Sequence, residues 1–147
     1  MLMSILGLVG LAAAATLDGA PLDLDGLSAS ADRVVYGEVR AITASPSEVG
    51  IETTVEIRVS ETLLGSPAPV VSFTVPGGSL DGVTLTIPGV PRFAAGESVL
   101  VYLGAEDQIV GFNQGAFRVH EGVAWRELAS SEAPLFFSLE EARRSTR

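Results

Sequence analysis

The chain contains no cysteine and no lysine, and its only imidazole is His120. Each absence removes a class of chemistry. Without cysteine there is no disulfide framework, thiol nucleophile, cysteine-based zinc site or cysteine-linked lipid anchor. Without lysine there is no Schiff-base chemistry and no P-loop lysine. Aromatic residues make up 6% of the sequence, with a single tryptophan, Trp125. The longest apolar run, at the start of the chain, stops short of the roughly 20 residues that a bilayer-spanning helix needs. What remains is a chain of 147 residues in which all the basic side chains are arginines. That length suits one domain, able to bury roughly two-thirds of its unfolded surface in one core.

The formal net charge is −9. Phosphate backbones are bound largely by positive charge, so this balance argues against a nucleic-acid partner and against anionic membrane surfaces. Its simplest meaning is solubility. The first fifteen residues are different in kind: the apolar run Met1 to Leu11 is followed by Ala12-Ala13-Ala14-Ala15. An apolar stretch ending in small residues reads as a secretory signal peptide over 1–15, cleaved after Ala14 or Ala15, although it lacks the usual basic residue at its start. The expectation is therefore an extracytoplasmic protein, secreted or periplasmic, with one domain over 16–147.

Hydrophobic periodicity then organises the chain. Leu24, Leu27 and Ala31 have the spacing of a short amphipathic helix, with Asp23 placed to cap it. From Arg33 the composition turns to β. Arg33 to Thr43 reads as a strand and Ala44 to Gly50 as a turn. Ile51, Thr53, Val55, Ile57 and Val59 alternate strictly with Glu52, Thr54, Glu56 and Arg58, the pattern of a strand with one face on a core. Glu61 to Gly65 reads as one helical turn closed by glycine. Further strands are expected over Pro69 to Val75, Val83 to Ile87, Ser98 to Leu103, Gln108 to Phe112, Ala116 to Val119 and Val123 to Arg126. Ser138, followed three residues later by Glu141 and then by Arg143 and Arg144, carries the signature of a capped C-terminal helix. About six to eight short strands separated by Gly and Pro predict an all-β domain, a small antiparallel barrel with a short helix at each end.

Few residues offer chemistry. His120 follows a strand end beside Glu121-Gly122 and no Gly-x-Ser-x-Gly elbow is present, so it reads as a turn residue and no catalytic residue is assigned. Asp23, Asp25 and Asp32 lack the third acid and distal glutamate of a calcium loop and read as caps or solvated acids, so no metal and no cofactor are assigned. Glu52 and Glu56 share the solvent face of one strand; a glycosidase pair would need a cleft. Tyr36, Tyr102 and Trp125 could line a groove, but aromatic packing in a core is their commoner fate. The loops Pro76 to Gly82 and Pro88 to Phe93 are the stronger candidates. They flank one hairpin, bring Gly77 and Gly78 near one end, and set Arg92 and Phe93 at a loop tip, a residue pair enriched in interfaces. The competing reading has Phe93 plugging the end of the barrel and Arg92 paired with an acid.

Several blocks carry a resemblance. Ala31 to Val39 (ADRVVYGEV), Val59 to Gly65 (VSETLLG, with Leu64 where lysine is usual), Val75 to Gly78, Pro88 to Glu97 and Gln114 to Val119 resemble an uncharacterised family of secreted bacterial β-rich proteins, over roughly residues 31 to 119. The first half is also similar to netrin-like modules and tissue inhibitors of metalloproteases, which are OB-type barrels. That similarity implies an OB-like, netrin-like barrel and an exported location. It does not carry the inhibitors' mechanism, because those proteins chelate the protease metal through an N-terminal cysteine and this chain has none. Fold blocks of this kind specify architecture better than chemistry.

The function expected is therefore a non-catalytic binding or interaction module that uses loops at one end of a β-barrel, with Gly77, Gly78, Arg92 and Phe93 as the contact surface. Its partner is expected to be a protein or a cell-surface component. The rivals are an inhibitor of a secreted protease, acting by loop insertion, and a hydrolase of unknown class.

Overall fold

Two fifteen-residue strands form the centre of the molecule because their β-branched residues have long, matching partners in each other. The computed structural model describes residues 21–48, 50–126 and 135–147; the expected signal peptide over 1–15 lies outside them. The elements are α1 (Leu24–Ser30), β1 (Arg33–Ser47), β2 (Gly50–Leu64), β3 (Val70–Pro76), β4 (Gly78–Leu80), β5 (Val83–Leu85), β6 (Ser98–Leu103), a 3₁₀ turn (Ala105–Asp107), β7 (Ala116–His120), β8 (Val123–Arg126), β9 (Leu135–Ser138) and α2 (Leu139–Ser145). Seven strands make one antiparallel sheet in the order β3-β2-β1-β6-β7-β8-β9, and β4 and β5 form a separate hairpin.

All-β character is as the periodicity indicates, but the sheet is not closed into a barrel. Its outer strands, β3 and β9, pair with one neighbour each. Three register shifts in the β1–β2 pair, at Leu63 and Ser60 of β2 and Arg40 of β1, bend the sheet, as bulges do. The bend brings β3 beside the 3₁₀ turn, yet no ladder forms between them. The gap is instead a groove of about 270 Å³ between Thr74, Val75 and Pro76 on one side and Gln108, Ile109 and Phe112 on the other.

The centre of the sheet is covered on both faces. Val35, Val39, Val55, Ile57, Phe73, Val99, Val101 and Leu103 belong to one core, against which Val90 and Phe93 of a loop are packed. Val34, Leu100, Tyr102, Phe117 and Phe137 belong to a second core, closed by Leu27 of α1 and by Leu139 and Ala142 of α2. This arrangement explains the unbroken apolar run of β6, whose residues Val99 to Leu103 are all buried. The Phe117 ring meets Tyr102 and Phe137 edge-on, at centroid distances of 5.8 and 4.8 Å.

Local expectations fare unevenly. Both helices form where predicted: the Asp23 carboxylate accepts from the Gly26 N–H, and Ser138 with Glu141 forms a reciprocal capping box. The turn expected over 44–50 is much tighter, because β1 runs to Ser47 and pairs it with Gly50. Glu61 to Leu64 is strand rather than a helical turn, since Glu61, Thr62 and Leu64 pair with Tyr36, Val35 and Val34. Gln108 to Phe112 is not a strand either. Only Ile109 bridges to Leu103, and the turn residues after it wrap the edge of β6 through Val110 N–H to Tyr102 O (2.9 Å) and Tyr102 N–H to Gly115 O (2.8 Å).

A loop with a groove on either side

The two glycine- and proline-rich loops do come together. Residues 88–97 are tied to the rest of the fold at two points and braced by one bond of their own. Val39 N–H donates to Glu97 O at 2.9 Å and Gly96 N–H to Val39 O at 2.8 Å, which ties the C-terminal end of the loop to β1. Ala94 N–H donates to the Glu97 carboxylate at 2.5 Å, and the Asn113 amide donates to Gly89 O at 2.9 Å, which ties the start of the loop to the turn before β7. Asn113 was not singled out in the sequence. Its position in the short connection Asn113-Gln114-Gly115 gives no hint that it holds a loop 24 residues away.

Gly77 and Gly78 shape the other wall. Gly77 has φ of +91°, donates its N–H to Ile51 O at 2.7 Å and accepts a hydrogen bond from the Thr53 hydroxyl at 2.7 Å. A methyl group there would lie 2.8 Å from the Leu85 carbonyl, so glycine is what allows β4 and β5 to fold back against the sheet. Gly78, at φ of +136°, is closed off in the same way by Thr53 Oγ1. Both glycines therefore position the surface, and the polar groups of Gly77 are already engaged within the fold.

Between this hairpin and the 88–93 segment lies a groove of about 380 Å³, lined by Ile42, Ala44, Ser79, Thr84, Ile87 and Arg92 among others. Phe93 is half-buried and meets Phe73 edge-on at 5.3 Å, so most of its ring belongs to the core. Arg92, its neighbour, is exposed and forms no ion pair with any described residue.

On the opposite side of the same segment is a second cavity, of about 420 Å³. Its wall includes Val90, Pro91, Phe93, Phe117 and Trp125, together with Arg92, Arg118, Arg126 and a single acid, Glu97. Arg118 bridges to Glu97 at 3.1 Å and lies over the Trp125 ring, 5.8 Å from its centroid. Arg126 is 6% exposed. Its guanidinium donates to Gln114 O and, at 3.0 Å, to Leu22 O, and it sits 5.1 Å from the centroid of the Phe117 ring. Burial pushes its pKa below the ordinary value for arginine. The Gln114 side chain, itself buried, accepts from Leu22 N–H at 2.5 Å and so braces this corner.

Arg126 was visible to sequence reasoning in principle. In the strand Val123-Ala124-Trp125-Arg126, Ala124 is buried, and a period of two puts Arg126 on the same inward side. The other residues weighed in the sequence lie apart from these cavities or serve the fold. His120 ends β7 with its side chain 82% exposed and 3.9 Å from Glu121. Asp23 caps α1, and Asp25 accepts from the Ser145 hydroxyl at 3.1 Å. Glu56 pairs with Arg40 at 3.6 Å. Tyr102 is fully buried, with its pKa raised by desolvation and no hydrogen-bond partner of good geometry for its hydroxyl. Among the described residues, no three metal-ligating side chains gather in one place.

Comparison with known proteins returns no matching family model, no matching curated protein and no matching solved structure.

Proposed function

We propose that the protein is a non-catalytic binding module that works outside the cytoplasm, using the loop end of its sheet to hold a protein or cell-surface partner. The observation that carries this reading is the 88–93 segment. It is tied to Asn113 at Gly89 and is followed by a tie to β1 at Gly96 and Glu97, has a groove on each side, and carries exposed Arg92, which has no ion pair among the described residues. A fixed loop loses little entropy on binding, which favours recognition over random contact. An exposed arginine supplies bidentate hydrogen bonding to a carboxylate or to main-chain carbonyls of a partner.

The OB-like architecture belongs to the same proposal. Its support is a bulged antiparallel sheet whose edge strand β3 curls back to lie beside the 3₁₀ turn that follows β6. The loops at the open end then occupy the position where such barrels commonly bind. A second reading, inhibition of a secreted protease by loop insertion, is favoured by the same fastening of residues 88–97, because an inhibitory loop must stay rigid.

The test uses immobilised protein and extracellular or cell-envelope fractions, comparing the native chain with Arg92→Glu. A partner held by the native chain and lost with R92E supports the module. Equal retention by both proteins overturns the loop assignment. Metallo- and serine-protease assays run in parallel: stoichiometric inhibition abolished by R92E selects the inhibitor reading.

A further inference from the structure

Three of the nine arginines of this acidic chain line one cavity, with one glutamate among them. Arg118 has that glutamate as its partner; Arg92 and Arg126 have no acid among the described residues. Arg126 is the telling member, because burying a charge is costly unless it is balanced. Its two hydrogen bonds go to neutral carbonyls and use two of the five N–H donors of a guanidinium. The ring of Phe117 helps, but a cation–π contact does not neutralise charge. The rest of the wall includes Trp125, Phe117, Phe93, Val90 and Pro91, with the Asn113 amide as a further polar group.

From this geometry we propose that the cavity binds a carboxylate carried on an aromatic or branched aliphatic body. The carboxylate balances the arginines and the body packs against Trp125, Pro91 and Val90. A monoanion fits better than a phosphate ester, because the chain as a whole carries −9 and repels multiply charged ligands at long range. A planar carboxylate also matches the fork of a guanidinium. The volume of about 420 Å³ is that of a small-molecule site. This site goes beyond the loop surface proposed above and shares Arg92 with it, while Arg126 and Trp125 belong to the cavity alone.

The same chemistry has two sources, a free organic acid or the C-terminal carboxylate of a peptide. Trp125 is the only tryptophan and lies in the wall, so its fluorescence reports on the cavity directly. The native protein is titrated with benzoate, with benzamide, with inorganic phosphate, and with a short peptide ending in phenylalanine as free acid or as amide. The proposal expects saturable changes in Trp125 emission with benzoate or the peptide acid, and at least about tenfold weaker responses to their amides. The tighter of the two acids identifies the source. Binding should fade as the pH falls below the carboxyl pKa of the probe, about 4 for such acids. Arg126→Gln should weaken the acid at least about tenfold; because Arg126 is buried, Arg92→Gln and the amide controls on the native chain decide the matter if R126Q does not fold. Equal binding of acid and amide, tighter binding of phosphate than of either acid, or no response to any acid overturns the proposal. The acid-against-amide comparison on the native chain and the R126Q arm leave Arg92 intact, so the cavity can fail while capture through Arg92 stands, and capture can fail while the cavity binds its acid.

Discussion

Arg92 and Phe93 are adjacent, yet they do different work. A tip carrying arginine and an aromatic ring has the composition of an interface, but Phe93 is turned against Phe73 at 5.3 Å and Arg92 is turned outward. The two side chains should therefore separate cleanly in experiment. Phe93→Ala removes a half-buried ring from the core and should cost about 1–3 kcal/mol, read as a lower urea midpoint with an unchanged m-value. Arg92→Ala removes an exposed side chain and should change stability by no more than about 0.5 kcal/mol. If F93A left the midpoint unmoved, the ring would be a contact residue after all. Arg126 makes the complementary point. The alternation of Val-Ala-Trp-Arg puts Arg126 on the side of buried Ala124, but what closes over that side comes from Phe117, Gln114 and Leu22. The local pattern thus gives the side Arg126 faces, and the neighbouring segments decide how completely it is buried.

At the scale of elements, periodicity located most strands, and long-range pairing set their lengths. Ser45-Pro46-Ser47 has turn composition, but it extends β1 because Glu52, Ile51 and Gly50 lie opposite. Glu61 to Leu64 breaks alternation for a related reason: Ser60 and Leu63 are extra residues that β1 does not match. Tertiary pairing overrides local preference here, as it commonly does in sheets. β9 went unread because its short apolar run directly precedes the serine that caps α2. The 88–93 loop was legible from Gly and Pro alone, whereas Pro76 to Gly82, of similar composition, contains strand β4, and the cavity required the approach of β7, β8 and residues 88–93. The last helix was fully legible at its start and not in its docking. Arg143 reaches 82 residues back to Glu61, with Nε–Oε2 of 2.7 Å and a second bond of 2.9 Å, so α2 is pinned to β2 by a bidentate pair. Hydrogen bonds from Arg143 hold the Glu61 carboxyl below its ordinary pKa, against the opposing effect of desolvation. A lowered carboxyl pKa stabilises the fold above the unfolded-state pKa, and the contribution disappears as the pH falls through the folded-state value. Glu61→Gln should thus lower stability at neutral pH. The gap between wild type and variant should narrow below about pH 4.3 and close in stronger acid. Urea midpoints measured from pH 7 to pH 2.5 check this, and a gap independent of pH would assign the loss to packing instead of charge. The pair is partly exposed, so its effect should also shrink with added salt.

For the whole molecule, missing cysteine takes on structural content: no disulfide ties together two cores on opposite faces of one open sheet. Two cores need not mean two folding units. β1 gives Val35 and Val39 to one face and Val34 to the other, and β6 gives Val99, Val101 and Leu103 to one and Leu100 and Tyr102 to the other. Neither face can lose its packing while the shared strands remain in place, so damage on one side should be felt on both. Leu100→Ala, at a position with no exposure, should cost about 2–5 kcal/mol. The wild type and this variant should each unfold in a single transition, with Trp125 fluorescence and far-UV circular dichroism superimposing. Separate midpoints for the two probes would mean that the face closed by the helices melts independently of the face that carries the loop. In that case the cavity beside Trp125 and the groove beside Gly77 would belong to different cooperative units. Coincident midpoints would instead make the 88–93 segment a rigid wall shared by both, held by the same sheet that orders everything else.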